Sequence, residues 1–502
     1  MSCHIHELKE RAGLIWNLYD VRSLLGWDQQ TKMPRNGAAG RSQQLASVEQ
    51  VAHEMLTAPS FVELLRRAEE ASAPLGKDDE DRAYVRQVRR RYDLAARVPA
   101  PLVAEFSRAT SSAVEVWVEA RKNNDYKSFA PHLRKVFGLC KQIADHRGYQ
   151  EHPYDALMDE YEPGISTAEV GAVFAELRPF LSDLLERVGE PSPSSNLLRQ
   201  PYPEAAQREF SHFLLQQIGF DFEGGRLDDS AHPFCSSSSH GDVRLTDHFQ
   251  ENFLSPGIFG ALHEGGHGLY EQNSPARFDG GPLRGGCSLG VHESQSRLWE
   301  NFVGRSLPFW KFHYPILQGH FPRQLSGYCV EDFYRSINQV GRSFIRIEAD
   351  EVTYNLHIIL RFEIEKDLLT GALDPDDLPE AWNARMREYL GVAPPNDSEG
   401  CLQDIHWAFG LVGYFPTYTL GNLVAAQLWR KIRRDIADVD QHLLSGNCRP
   451  VLSWLKKNVH DLASCYLPSE VVVRSTDGPI GTAAFMDYVN EKFGALYGVG
   501  TR

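Results

Sequence analysis

Ser255-Pro256-Gly257-Ile258-Phe259-Gly260-Ala261-Leu262-His263-Glu264-Gly265-Gly266-His267-Gly268-Leu269 is the stretch on which the reading of this chain turns. Ser255-Pro256 has the form of an N-cap followed by a proline in the first turn, and Ile258, Phe259, Leu262 and Leu269 recur at helical spacing, so the segment predicts a buried helix. On that helix His263 and His267 lie one turn apart and face the same way. Two imidazoles so placed suit a zinc ion, and Glu264 beside them is positioned to take a proton from a water rather than to occupy the metal. The plain alternative is a buried helix whose histidines only satisfy local hydrogen bonds. Gly265 and Gly266 each cost a helix interior about 1 kcal/mol relative to alanine, which predicts a close approach there by another helix or by a substrate.

Such a pair needs a third ligand, and a carboxylate a few tens of residues downstream on a second helix fits. Residues 289–302 read as that helix, with Leu289, Leu298, Trp299 and Phe302 apolar. It offers Glu293 and Glu300 two turns apart on one face, with His292 beside them as a ligand or a supporting group. Spacing alone does not choose between the two glutamates. The Gly- and Pro-rich residues 273–286 supply the chain reversal.

Away from this centre the helical period dominates, as in residues 79–92, 168–188, 330–337 and 354–369, so the fold class is mainly α. Period-two alternation is confined to Asp242-Val243-Arg244-Leu245-Thr246, which predicts a small edge strand beside the site, and Glu470-Val471-Val472-Val473-Arg474. Turn-forming breaks at 189–195, 390–400 and 475–481 read as loops inside one architecture spanning 1–502. Its parts are an N-terminal helical part (1–190), a motif-bearing part (200–425) and a C-terminal helical part (426–502). A formal charge of −15 over 502 residues argues against nucleic acid, which calls for clustered Lys and Arg. No apolar run is long enough for a membrane span, the start lacks the pattern of a signal peptide, and the 8 cysteines are scattered without CxxC pairs. A cytoplasmic protein with reduced thiols is expected.

Several further segments carry a likeness. They are Trp27-Asp28-Gln29-Gln30-Thr31-Lys32-Met33-Pro34, Tyr161-Glu162-Pro163-Gly164, His232-Pro233-Phe234, Asp242 to Thr246 and His292-Glu293-Ser294-Gln295. Ile345-Arg346-Ile347-Glu348-Ala349-Asp350 and Gly400-Cys401-Leu402-Gln403-Asp404-Ile405-His406-Trp407 complete them. With the HExxH helix, these segments resemble the carboxypeptidase Taq family of zinc metallocarboxypeptidases, in the family's order and over nearly the whole chain.

The resemblance implies a helical fold with a long active-site groove and a small sheet near the zinc, similar to neurolysin and angiotensin-converting enzyme, and usually dimeric. It implies His263, His267 and Glu293 as ligands of one Zn²⁺, for which a metal such as Co²⁺ can substitute, and Glu264 as general base. Substrates would be peptides with a free C-terminal carboxylate, losing single residues with broad specificity. The oxyanion donor is expected among Tyr418, Tyr414 and His406. Arg346 and Arg244, with His232 in its own motif, are expected on the substrate, since guanidinium pairs well with a carboxylate. The bland alternatives pair Arg346 with Asp350 and Arg244 with Asp242. Gln403 and Asp404 are expected to orient a histidine or the backbone, and Asp247 adds a charge without an assigned effect.

Overall fold

The computed structural model describes residues 3–189 and 196–500, so the break read at 189–195 lies, apart from Gly189, outside the described residues. The four helical stretches read from periodicity appear as Glu80–Ala96, Thr167–Val188, Val330–Ile337 and Tyr354–Thr370. Their ends are fixed by local chemistry. The Thr167–Val188 helix, for instance, starts at Ser166, whose side chain accepts from the Glu169 N–H while the Glu169 carboxylate accepts from the Ser166 N–H.

Two compact units emerge, and each collects three stretches of chain. The first comprises 1–96, 194–337 and 424–479, and the second 97–193, 338–423 and 480–502. The units therefore cut across the sequence parts 1–190, 200–425 and 426–502. The reason is physical: a helix buries its apolar stripe against whichever partners complete the core, and those partners are distant in sequence.

In the first unit, helices Cys3–Thr31, Ala38–Thr57, Pro59–Ser72 and Glu80–Ala96 share a core built on Leu8, Ile15, Leu56, Phe61, Leu65 and Val88. Phe278, Leu283 and Ala463 complete the same core from far along the chain. The unit also carries a three-stranded sheet of β1 (Gly225–Asp229), β2 (Cys235–Ser239) and β3 (Asp242–Asp247), in the order β1-β3-β2. β3 runs parallel to β1 and antiparallel to β2. The expected edge strand is thus the central one. Its Val243 and Leu245 are buried on one face, and Thr246, on the other, is buried too, its Oγ1 accepting from Ser230 Oγ at 2.7 Å.

In the second unit, Tyr154, Phe174 and Phe362 pack edge to face, as do Phe137, Trp382 and Trp407. Glu365, fully buried, accepts from the Tyr154 hydroxyl at 2.6 Å, the Trp407 indole at 2.8 Å and the Gly413 N–H at 3.2 Å. That carboxylate ties residues 407–413 to the Tyr354–Thr370 helix.

Two local readings need correction. Residues 470–474 are not a strand but lie in the helix Pro468–Thr476, where Glu470 accepts from the Leu467 N–H at 3.0 Å and Val471, Val472 and Ser475 face inward. Proline in the first turn and the acidic cap outweigh the β-preference of three valines. Ser255 is the first residue of its helix rather than the cap, which is Leu254 and makes no side-chain bond.

Candidate functional site

The motif helix is Ser255–Gln272, and its glycines decide what packs on it. A Cβ on Gly265 would lie 2.5 Å from Leu215 Cδ2, and one on Gly266 would lie 2.5 Å from the Gln295 carbonyl oxygen. The first contact belongs to the helix Glu204–Ile218, the second to the helix Leu289–Arg297. The two glycines thus admit two helices, one on each side. The second brings Glu293 against both histidines.

His263 Nε2 lies 3.5 Å and His267 Nε2 3.4 Å from Glu293 Oε2. The three ligand atoms fall within 4.8 Å of one another. Bonds of about 2.1 Å at a tetrahedral angle put two donors about 3.4 Å apart, so this donor set fits a zinc-like divalent cation. Arg297 Nε donates to Glu293 Oε1 at 2.7 Å, and Ser296 Oγ to Glu293 Oε2 at 3.0 Å, which anchors the carboxylate. Arg297 holds Glu293 ionised against its burial, which alone would raise its pKa.

Behind the ligands stands a second layer. His263 Nδ1 meets Glu300 Oε2 at 2.9 Å, and Glu300 also accepts from Arg297 and Arg305. His267 Nδ1 meets His292 Nδ1 at 2.5 Å, and His292 Nε2 meets Glu271 Oε1 at 2.8 Å. Glu300 and Glu271 are buried enough to favour the neutral form, but their basic and hydrogen-bonding neighbours hold each at about 2. Glu300 stands behind the ligand set, and His292 buttresses His267. A π-helical turn at Leu298–Val303 carries Glu300, the kind of insertion that re-aims side chains at functional sites.

Glu264, next to the ligand set and buried, has its carboxyl raised to about 7 by burial, partly offset by His263. Asp247, left without an assigned effect by the sequence, packs against the motif helix at Gly260. It is fully buried, accepts only the His248 N–H through Oδ1, and has no hydrogen-bond partner on Oδ2 among the described residues. Burial pushes its pKa well above the carboxylate range. Gly260 leaves room for it, since a Cβ there would lie 2.6 Å from Asp247 Oδ1.

Arg244, on β3 in the same unit, donates to Asp242 at 2.8 and 3.0 Å and lies 4.4 Å over the Trp27 ring, so the Asp242 pairing is real. His232 is exposed between β1 and β2. Its carbonyl accepts from Ser230 Oγ at 2.6 Å, and Thr246 Oγ1 accepts from the Phe234 N–H at 2.9 Å, which joins two of the sequence motifs.

The remaining candidates lie in the second unit. Arg346 is buried, with Nε and Nη2 donating to Asp404 Oδ1 at 3.1 and 2.8 Å and Nη1 to the Tyr354 hydroxyl at 3.0 Å. Its acidic partner is therefore Asp404 and not Asp350, which instead accepts the N–H groups of Gly341, Val352 and Thr353. Arg361 donates to Asp404 Oδ2 at 2.7 Å, and Gln403 Oε1 accepts from the Arg346 backbone N–H and from Arg361 Nη2, so Gln403 holds backbone as expected while Asp404 holds two guanidiniums rather than a histidine. Two guanidiniums on one carboxylate leave a net positive charge. His406 Nε2 lies 3.3 Å from the Tyr418 hydroxyl, and burial lowers its pKa to about 4, so it is neutral. Tyr414 packs edge to face against Tyr161 and Tyr418, and the Arg346 guanidinium sits 5.0 Å from the Tyr418 ring centre.

Sequence reasoning missed Glu271, Arg297 and Arg361. Glu271 had a signal: it continues the 263, 267 series by one more helical turn.

Residues 7–493 match the family model described as carboxypeptidase Taq (M32) metallopeptidase. The chain is 42% identical over 495 residues to thermostable carboxypeptidase 1 of Thermus thermophilus, covering 96% of each. It is 37% identical to carboxypeptidase 1 of Bacillus subtilis, covering 99% of this chain and 100% of that one. The crystal structure of an M32 carboxypeptidase from Deinococcus radiodurans superposes with a TM-score of 0.96 at 36% identity, covering 99% of this chain and 100% of that one.

Proposed function

The chain belongs to the carboxypeptidase Taq (M32) metallopeptidase family, and from that premise we propose that it removes single residues from peptides with a free C-terminal carboxylate, with zinc as its metal and Glu264 as its general base. The observation that carries this reading is the His263, His267 and Glu293 set with donors within 4.8 Å and Glu264 adjoining it.

A divalent cation held there supplies Lewis-acid polarisation of the scissile carbonyl and lowers the pKa of a water to about 7. Glu264 takes the proton of the attacking water and returns it to the leaving amine, a role that suits a carboxyl raised to about 7. Tyr418 donates to the developing oxyanion, with neutral His406 on its hydroxyl and Tyr414 packed against its ring. For the terminal carboxylate this reading has two candidate arginines, Arg244 in the first unit and Arg346, with the positive surplus around Asp404, in the second, and His232 is its candidate for the substrate path. Broad specificity, a homodimer and a cytoplasmic setting belong to the same reading. The setting is supported by free cysteines throughout the described residues.

The test is a peptide digested in parallel with its C-terminally amidated form, followed by mass spectrometry. One-residue trimming of the free form alone is expected, and equal internal cleavage of both would sink the exopeptidase reading. Glu264→Gln should cost about 10²–10⁴ in kcat while the protein still retains zinc; surviving turnover would remove Glu264 from its role.

A further inference from the structure

The two metal-facing histidines are supported unequally. His263 Nδ1 meets a carboxylate directly, through Glu300 at 2.9 Å. His267 Nδ1 meets another imidazole, His292, and the carboxylate stands one link further back at Glu271.

With a divalent cation on His267 Nε2, the hydrogen-bond inventory of that chain permits one arrangement of protons. A carboxylate only accepts, so Glu271 Oε1 takes the proton of His292 Nε2. A cation at the ligand set would occupy the His267 Nε2 lone pair, so the remaining ring proton of His267 sits on Nδ1 and His292 Nδ1 accepts it. His267 Nδ1 is therefore the donor across the 2.5 Å contact, and the His267 lone pair is left on Nε2, the atom 3.4 Å from Glu293. Glu271 is itself fixed at its other oxygen, which accepts from Ser237 Oγ of β2 at 2.7 Å.

The backbone around the relay is shaped to it. Gly285 has φ +77°, and a Cβ there would lie 3.0 Å from Glu271 Oε1. A Cβ on Gly286 would lie 3.0 Å from the Tyr270 ring and 3.2 Å from His292 Cδ2. Any larger residue at either position would press on the side chains that carry the relay. The loop is held in place by Ser274 Oγ, which accepts from the Gly285 N–H at 3.1 Å, and by Ser464 Oγ, which donates to the Gly286 carbonyl at 3.0 Å.

We propose that Glu271, acting through His292, fixes the tautomer of His267 and so sets the affinity for the divalent cation, Glu271 and His292 being positioning residues. The proposal rests on the metal-site reading above. It makes the relay act by hydrogen bonding, with His292 accepting the His267 Nδ1 proton and Glu271 accepting that of His292 Nε2.

The experiment is Zn²⁺ competition against a chromophoric chelator on the full chain, paired with the visible spectrum of the Co²⁺ form and the melting temperature of the metal-free form. Glu271→Ala and His292→Phe should each weaken Zn²⁺ binding by about 10–100-fold and shift the Co²⁺ bands. His292→Phe keeps a ring in place, so it reads the same loss without opening a large cavity. Glu271→Gln can still accept from His292 Nε2 through its amide oxygen and should stay within about threefold of wild type. Wild-type affinity in Glu271→Ala and His292→Phe, with only the metal-free melting temperature lowered, would reduce the relay to a structural role and overturn the proposal. A Glu271→Gln loss as large as that of alanine would overturn it too, since charge rather than tautomer would then be acting. Failure of the wild-type chain to bind Zn²⁺ would instead bring down the metal-site reading itself.

Discussion

At the residue scale, the two arginines singled out by their motifs are held in different ways. Arg244 pairs with Asp242 at a half-exposed position, the two side chains being 19% and 35% exposed, and rests on Trp27. An exposed pair of this kind is worth about 1 kcal/mol or less. Arg346 is buried with Asp404 and Arg361, where removing one partner of an ion pair costs about 3–5 kcal/mol. Arg361 still faces Asp404 when Arg346 is gone, so Arg346→Ala belongs at the low end of that range. The two substitutions should therefore separate. Arg244→Ala is expected to narrow the preference for free over amidated peptides with a nearly unchanged denaturation midpoint, whereas Arg346→Ala should narrow the preference and lower the midpoint together. An unaltered free-to-amidated ratio in either variant would remove that arginine from carboxylate recognition and leave it with its local ion pair.

At the scale of elements, the glycine pair of the motif shows what a sequence can say and where it stops. Two glycines inside an otherwise apolar helix announced a close approach, and the approach is there on both sides. Which neighbours make it was invisible, because the partners at 204–218 and 289–297 come from opposite directions along the chain. The same limit applies to the ligand set. The i, i+4 histidines were legible from a single period, but Glu293 was separable from Glu300 only by the family resemblance, since both occupy one face of an ideal helix. The π-turn at Leu298–Val303 breaks that equivalence and sends Glu300 to the far side of His263. Strand order escaped too: alternation marks residues 242–246 as β but says nothing about pairing on both edges. The glycines themselves give an asymmetric prediction. Gly265→Ala meets the ends of Leu215 and Ile218, which can move, and alanine regains about 1 kcal/mol of helix preference, so its net effect should be small. Gly266→Ala meets the backbone of Gln295 and Ser296 at 2.5 and 2.6 Å, which cannot yield without carrying Glu293 away from the histidines. It should cost about 1–3 kcal/mol and weaken zinc binding, read by thermal melts with and without the metal. Equal zinc affinity in the two alanine variants would contradict this account of the helix contact.

At the scale of the whole molecule, the decisive property is that neither unit is a continuous piece of chain. The proposed metal ligands sit in 194–337, but the unit that contains them also takes in 1–96 and 424–479. Those distant stretches reach the neighbourhood of the site. Ser464 holds the glycine loop over Glu271 and His292, and His460 Nε2 lies 3.1 Å from Gln295 on the helix that carries Glu293. Lys32, just past the end of the first helix, pairs at 2.7 Å with the buried Asp228 of β1. A fragment of residues 200–425 would keep every ligand and every motif of the central part, yet it lacks the helices that close the core of the first unit and the groups that fix its second layer. Buried apolar faces without partners do not yield a cooperative fold. The fragment is therefore expected to show no sigmoidal thermal transition by circular dichroism and no tight Zn²⁺ binding, while co-expression with 1–199 and 426–502 should recover some of both. A cooperatively melting, zinc-binding 200–425 fragment would show that the centre is an autonomous domain and that the distant stretches only decorate it.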